Sequence, residues 1–179
     1  LSVKGLSFGY EGDKIVFNGV SLGAEKGEVL CILGANGSGK TTLLKCINRI
    51  LTPKSGKVFI DDNDIHGLGR SQIARMIGFL PQMHVSAYPY TVRDVAVMGR
   101  APYLSLTSSP SRADYKIAES SLESLGISHL AEKPYTKISG GERQLALLAM
   151  VLTQQPEVLL LDEPTSHLDF GNQVKTLRM

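Results

Sequence analysis

Gly34-Ala35-Asn36-Gly37-Ser38-Gly39-Lys40-Thr41 is a complete G-x-x-x-x-G-K-T loop set between two runs of opposite character. Before it, Val29-Leu30-Cys31-Ile32-Leu33 is a short unbroken apolar run, the pattern of a strand buried on both faces. After it, Leu43, Leu44, Ile47, Ile50 and Leu51 recur at helical spacing, so strand, glycine loop and helix follow in order. Glycines accept backbone angles closed to other residues, which lets consecutive N–H groups point inward at a polyphosphate. The start of the following helix adds favourable field at the same spot. Lys40 supplies a mobile positive charge for β- and γ-phosphates, and the Thr41 hydroxyl is placed to ligate magnesium.

The 179 residues suffice for one domain with a substantial core, or a core plus a small subdomain. Lys and Arg number 19 against 17 Asp and Glu, with no long basic run, so nucleic-acid binding has no electrostatic support. No apolar stretch approaches the ~18 residues of a spanning helix, and the first residues lack the plan of a signal peptide. The expected setting is the cytosol or a membrane surface reached through partners. Cys31 and Cys46 are isolated, so both are expected to serve as small buried hydrophobes in a reducing compartment.

Along the chain, Val3 to Tyr10 alternates apolar with small or polar residues and Glu11-Gly12-Asp13-Lys14 turns it back toward Ile15–Leu22, the pattern of an opening hairpin. Tyr10, just before that turn, reads on its own as a half-buried packing residue. Pro53-Lys54-Ser55-Gly56 breaks the pattern, and Lys57-Val58-Phe59-Ile60 is a strand running into the acidic turn Asp61-Asp62-Asn63-Asp64. That turn lacks the glycine and distal glutamate of an EF-hand, so it reads as solvated and not as a calcium loop. Ile77-Gly78-Phe79-Leu80 is another buried strand, stopped by Pro81 and followed by Gln82, a polar amide at a strand end where open α/β sheets bind ligands.

From Met83 to about Lys133 little looks like strand. Thr91-x-x-Asp94 and Ser111-x-x-Asp114 are capping boxes, and Ala118, Leu122 and Leu125 share a helix face that Gly126 ends. The stretch from Pro102 to Ser111 is an exposed loop. Ser139-Gly140-Gly141-Glu142 opens a helix with Leu145, Leu148 and Leu152 on one face, and its small residues leave N–H groups bare as a second anion site. Val158-Leu159-Leu160-Leu161 is an apolar strand ending in Asp162 and Glu163. Such acids can hold magnesium together with Thr41 and deprotonate an attacking water.

Gly34 to Thr41, Gln82, Ile138 to Glu142, Leu159 to Glu163 and Ser166-His167-Leu168-Asp169 together resemble the Walker A, Q-loop, signature, Walker B and D-loop motifs of an ABC transporter ATPase subunit, in order and spacing. Thr91 to Arg100, Ser139 to Gln144 and Glu163 to Asp169 look most like the importers of iron-siderophore, haem and cobalamin. The resemblance implies an α/β fold, a P-loop NTPase core with a mainly parallel sheet, N-terminal antiparallel strands and a helical subdomain. It divides the chain into 1–84 (β region and Walker A/Q-loop core), 85–133 (helical subdomain) and 134–179 (signature helix, Walker B and D-loop).

The same resemblance implies ATP and Mg2+ as cofactors. It places the nucleotide on Gly34, Asn36, Gly37, Ser38, Gly39, Lys40, Thr41 and Thr42, with Tyr10 stacked on adenine. Ser139, Gly140 and Gly141 would reach the nucleotide of a second chain. Thr41, Gln82 and Asp162 would hold the metal, Glu163 would be the general base, Lys40 and Gln82 would act on the γ-phosphate, and Asp169 would join the dimer contact. The implied assembly is a head-to-tail homodimer with two transmembrane permease subunits, and indirectly a substrate-binding protein, at the cytoplasmic face of the cell membrane. Met83 to Leu104, with exposed Tyr and Pro residues, is the expected docking surface. A soluble non-transport ABC protein or an inactive truncated nucleotide-binding fragment is the alternative.

Three departures from the family pattern stand out: Ile138 and Glu142 for the usual Leu and Gln, Met150 where arginine is common, and the absence of the late histidine that touches the γ-phosphate. His167 belongs to the D-loop and does not replace it. A strand between the Walker A and Walker B strands would be missing with that histidine, so the expectation is either that the chain is part of a longer protein or that the gap is filled by a strand exchanged with a second chain or by a rearranged sheet.

Overall fold

The computed structural model describes residues 1–10, 14–81, 89–105 and 107–163, and it divides into two compact units, Leu1–Ile73 and Ala74–Met179.

In the first unit, β1 (Ser2–Gly9) lies between β2 (Ile15–Gly23) and β3 (Ser55–Ile60), and β4 (Asn63–Asp64) closes the edge; every pairing is antiparallel. The expected hairpin is the β1–β2 pair, with Val3 facing Leu22 and Phe8 facing Phe17. Bulges interrupt the register, and Gly5 (φ 58°) and Gly19 (φ 65°) take the left-handed angles there. β1 and β3 approach so closely at Gly56 that a Cβ there would lie 2.5 Å from the Gly5 backbone. The acidic turn is two left-handed residues, Asp61 (φ 45°) and Asp62 (φ 65°), between β3 and β4. Beyond it, the His66 backbone N–H and the Lys57 ammonium (2.9 Å) hold the Asp64 carboxyl down to about pKa 2.

Helix α1 (Lys40–Ile47) buries Leu43, Leu44, Cys46 and Ile47 into a core that includes Val3, Leu6, Val58, Ile60 and Ile65. Each such side chain contributes roughly 1.5–3 kcal/mol on leaving water. The helix stops sooner than its apolar spacing suggests. Arg49 turns to φ 53° and caps the carbonyls of Ile65 and Leu68, which leaves Ile50 exposed and outside the helix face.

The expected buried strand at 29–33 is not formed. Val29 is 94% and Leu33 87% exposed, and among the described residues nothing pairs with the segment. An apolar run becomes a buried strand only when a ladder neighbour and covering helices exclude water from both faces, and the antiparallel sheet of this unit supplies neither. Cys31 is therefore exposed, against expectation, while Cys46 is buried and its thiol is pushed up to about 11 by that burial.

Helix α2 (Arg70–Met76) leads the chain into the second unit. There β5 (Ile77–Leu80) pairs in parallel with β6 (Val158–Leu161), Leu80 opposite Leu161. This is the parallel pairing among the described residues, since 29–33 does not add a strand. Helices α3 (Val92–Val97), α4 (Arg112–Ser124) and α5 (Gly140–Thr153) pack into one apolar core with Leu80, Leu130, Tyr135 and Ile138. The helical stretch thus shares its core with the signature helix. Both expected capping boxes close, with Thr91 and Ser111 each accepting the backbone N–H of an aspartate three residues on. Ala118, Leu122 and Leu125 are buried together, and Gly126 (φ 71°) follows the helix. Met98–Tyr103 is a 3-10 segment, so Pro102 belongs to a helical turn and the expected loop starts only at Leu104.

A P-loop, an acidic strand end and a capped helix start

The Gly34–Thr41 loop curls as its glycines predict: Gly37 has φ 78° and Gly39 φ 95°, and the Ser38 N–H bonds the Ala35 carbonyl at 3.2 Å. A Cβ at Gly39 would fall 2.7 Å from Cγ1 of Val16, so the loop lies against β2 and the position admits nothing larger. The Lys40 ammonium folds back and donates to the carbonyls of Gly34 (2.8 Å) and Ala35 (2.9 Å). No carboxylate among the described residues neutralises it. A cation held only by neutral oxygens on an exposed, glycine-shaped loop is suited to an incoming polyanion. Asn36 lies on this exposed loop, and Thr41 and Thr42 open α1. Tyr10, also in this unit, is 52% exposed and forms a T-shaped pair with Phe8 (centroids 5.0 Å, 90° between planes), so about half of its surface is open to a ligand.

In the second unit Asp162 is buried at the end of β6, its N–H bonded to the Leu80 carbonyl at 3.0 Å. Glu163 follows at once with φ 50° and is exposed. A left-handed angle at a non-glycine residue costs about 1–2 kcal/mol and is kept where the surroundings impose it. The turn separates the two acids: one carboxylate is sheltered at the strand end, the next is presented to solvent.

Ser139 caps α5. Its hydroxyl accepts the Glu142 N–H (3.3 Å), and the Glu142 carboxylate accepts the Ser139 N–H (2.7 Å). The expected bare helix start is therefore partly occupied by its own capping box. These hydrogen bonds also hold the Glu142 carboxyl below its ordinary value. The S-x-x-E spacing signals this as clearly as the two S/T-x-x-D boxes upstream. Gly140 has open space at its Cβ position. Met150, where arginine is common, is partly buried and packs against the apolar core. Gln82, His167 and Asp169 lie outside the described residues, as does the 83–88 part of the expected docking surface; of the rest, Tyr90 and Met98 are exposed.

With loop, acidic strand end and capped glycine helix in place, the ABC transporter family model matches residues 17–166. The chain belongs to the ABC transporter family. It is an ABC-type ATPase domain with the P-loop fold. It is 37% identical over 173 residues to the molybdate import ATP-binding protein MolC of Haemophilus influenzae, covering 97% of this chain and 63% of the relative. It is 35% identical over 179 residues to the iron(3+)-hydroxamate import ATP-binding protein FhuC of Bacillus subtilis, covering 100% and 66%. The chain thus spans about two-thirds of the length of these relatives. Among solved structures it superposes on an inward-facing metal-chelate type ABC transporter with TM-score 0.83 and 36% identity, over 99% of this chain and 64% of that one. A dimeric ATP-binding cassette in a post-hydrolysis state with ADP and Pi matches with TM-score 0.83 and 26% identity, over 99% and 79%. No helix among the described residues of this ABC domain is long and apolar enough to cross a membrane.

Proposed function

We propose that this domain binds and hydrolyses ATP for an ABC importer of a metal chelate, with an iron chelate or cobalamin as cargo. The observation that carries the reading is Lys40, whose charge is met, among the described residues, by the carbonyls of Gly34 and Ala35 in the glycine loop. ATP would exchange those neutral acceptors for phosphate oxygens, with Asn36, Gly37, Ser38, Gly39, Thr41 and Thr42 supplying N–H and hydroxyl donors and Tyr10 stacking on adenine. Thr41, Gln82 and Asp162 would hold Mg2+, which supplies charge neutralisation at the phosphates when bound. Asp162, sheltered at the end of β6, suits a ligand; Glu163, presented to solvent, suits a base that takes the proton of the attacking water.

The working form is a head-to-tail homodimer in which Ser139, Gly140 and Gly141 of one chain close on the nucleotide of the other. Support for a dimer comes from the assembled cassette that the chain resembles in fold and sequence. Support for chelate import comes from the iron-hydroxamate relative and the metal-chelate transporter. In this reading the helical stretch 85–133 passes motion to two permease subunits at the cytoplasmic face, and a substrate-binding protein delivers the cargo. The test is uptake by cells lacking the gene and complemented with it. Radioiron supplied as a hydroxamate chelate should enter only in complemented cells; uptake of molybdate alone would replace the cargo, and uptake of neither would remove the transport role.

A further inference from the structure

The carbonyl end of α5 is gripped by two side chains of the 3-10 segment Met98–Tyr103. Arg100 Nη1 donates to the Thr153 carbonyl (3.3 Å) and to Gln155 Oε1 (3.1 Å), while its Nε donates to Asp114 Oδ1 of α4 (2.9 Å). Tyr103 donates its hydroxyl to the Gln154 carbonyl (3.0 Å), and its ring lies 3.9 Å from the Arg100 guanidinium and 5.0 Å from that of Arg75. The Gln154 amide in turn donates to the carbonyls of Ala74 and Ile77, at the entry to β5. One knot, with the Arg100–Asp114 pair buried at its centre, therefore ties α4, the 3-10 segment, the last turn of α5 and the start of β5.

Arg100 and Asp114 are each only 9% exposed. A buried ion pair is a poor source of stability, because desolvation offsets the attraction and an apolar replacement is often neutral or better. The guanidinium does supply direction. Its rigid fork fixes three partners at once, and its charge sits where the carbonyl end of α5 is most negative. The opposite end of that helix, about 20 Å away along 14 residues, carries Ser139, Gly140 and Gly141. β5, held through Gln154, pairs with β6, which is followed directly by Asp162.

We propose that Arg100 is a positioning residue for ATP hydrolysis: it fixes the last turn of α5 axially against α4 and the start of β5, and so sets the height of the Ser139–Gly141 helix start relative to the Asp162–Glu163 strand end. The inference rests on the ATPase reading given above.

The test compares Arg100→Met, which keeps length without the fork, and Arg100→Lys, which keeps charge, in the full-length protein. ATP affinity should stay within about twofold, since the P-loop belongs to the other unit, while kcat falls ~10- to 100-fold in both variants, the scale of a small misplacement in an active site. Loss of ATP-driven dimerisation in Glu163→Gln/Arg100→Met, but not in Glu163→Gln alone, is the second expected result. If Arg100→Met fails to fold, Tyr103→Phe carries the test: removing only the hydroxyl on the Gln154 carbonyl should lower kcat severalfold without changing ATP affinity. A kcat within twofold of wild type in the folded variant, or recovery of full turnover by lysine, overturns the proposal. If Glu163→Gln alone fails to dimerise with ATP, the dimeric ATPase reading fails instead of the role of Arg100.

Discussion

The Lys40 ammonium lies 2.8 Å from the Gly34 carbonyl, six residues back along the chain, so the loop is closed by the same charge it would offer to a ligand. Nucleotide binding must first open this contact, and it gains because phosphate oxygens bear the charge that a carbonyl lacks. Charge-assisted hydrogen bonds contribute roughly 1.5–3 kcal/mol each. Lys40→Ala is therefore expected to weaken ATP binding by at least about 100-fold in a calorimetric titration, and an unchanged affinity would refute the role.

Glu163 stands exposed at a left-handed angle directly after buried Asp162. Its replacement by glutamine keeps the shape and removes the basic oxygen. ATP should stay bound while turnover drops about 100-fold or more, the range that general-base removal covers. A phosphate-release assay on Glu163→Gln checks this, and a normal rate would take the residue out of the reaction.

Asp114 accepts from the Ser111 hydroxyl and N–H and from Arg100, and these contacts bring its carboxyl from 3.8 to about 2. A depressed carboxyl stabilises the fold at pH values above its ordinary pKa, and that contribution disappears as pH falls through the folded value. Wild type should exceed Asp114→Asn by an extra ~1–2 kcal/mol at pH 6, shrinking between about pH 4 and pH 2. Urea titrations of both proteins across that range give the answer; a pH-independent gap would show that the charge contributes nothing.

A Cβ at Gly99 would fall 2.0 Å from the Met150 carbonyl, where the 3-10 segment crosses α5. Neither backbone can yield without loosening the Arg100 contacts beside it. Gly99→Ala should cost about 3 kcal/mol, at the upper end of ordinary overpacking. Gly67→Ala, with open space at its Cβ, should stay within about 0.5 kcal/mol. Equal midpoints in chemical denaturation would contradict the close approach.

Much of this arrangement is legible in the sequence because it depends on neighbours along the chain. Thr91-x-x-Asp94 and Ser111-x-x-Asp114 name both partners of their hydrogen bonds within four residues, and both form. The four-residue apolar runs at 77 and 158 become strands that pair with each other. Val29 to Leu33 has the same texture and fails, because apolar content reports what a segment would bury and not whether a ladder partner exists to bury it. The Arg100 knot gives no signal at all. Its members stand at positions 75, 100, 103, 114, 154 and 155, and only the packing of helices brings them within reach.

The fold makes the two cysteines chemically distinct. Cys46 is 1% exposed with its thiol pushed up to about 11, whereas Cys31 is open to solvent three residues before Gly34. A maleimide dye at neutral pH should thus mark a single native position, since the thiolate is the reacting form and a buried, protonated thiol is inert. These 179 residues already carry a one-site fluorescent reporter beside the phosphate loop, able to register ordering of the 29–33 segment without introducing a foreign residue.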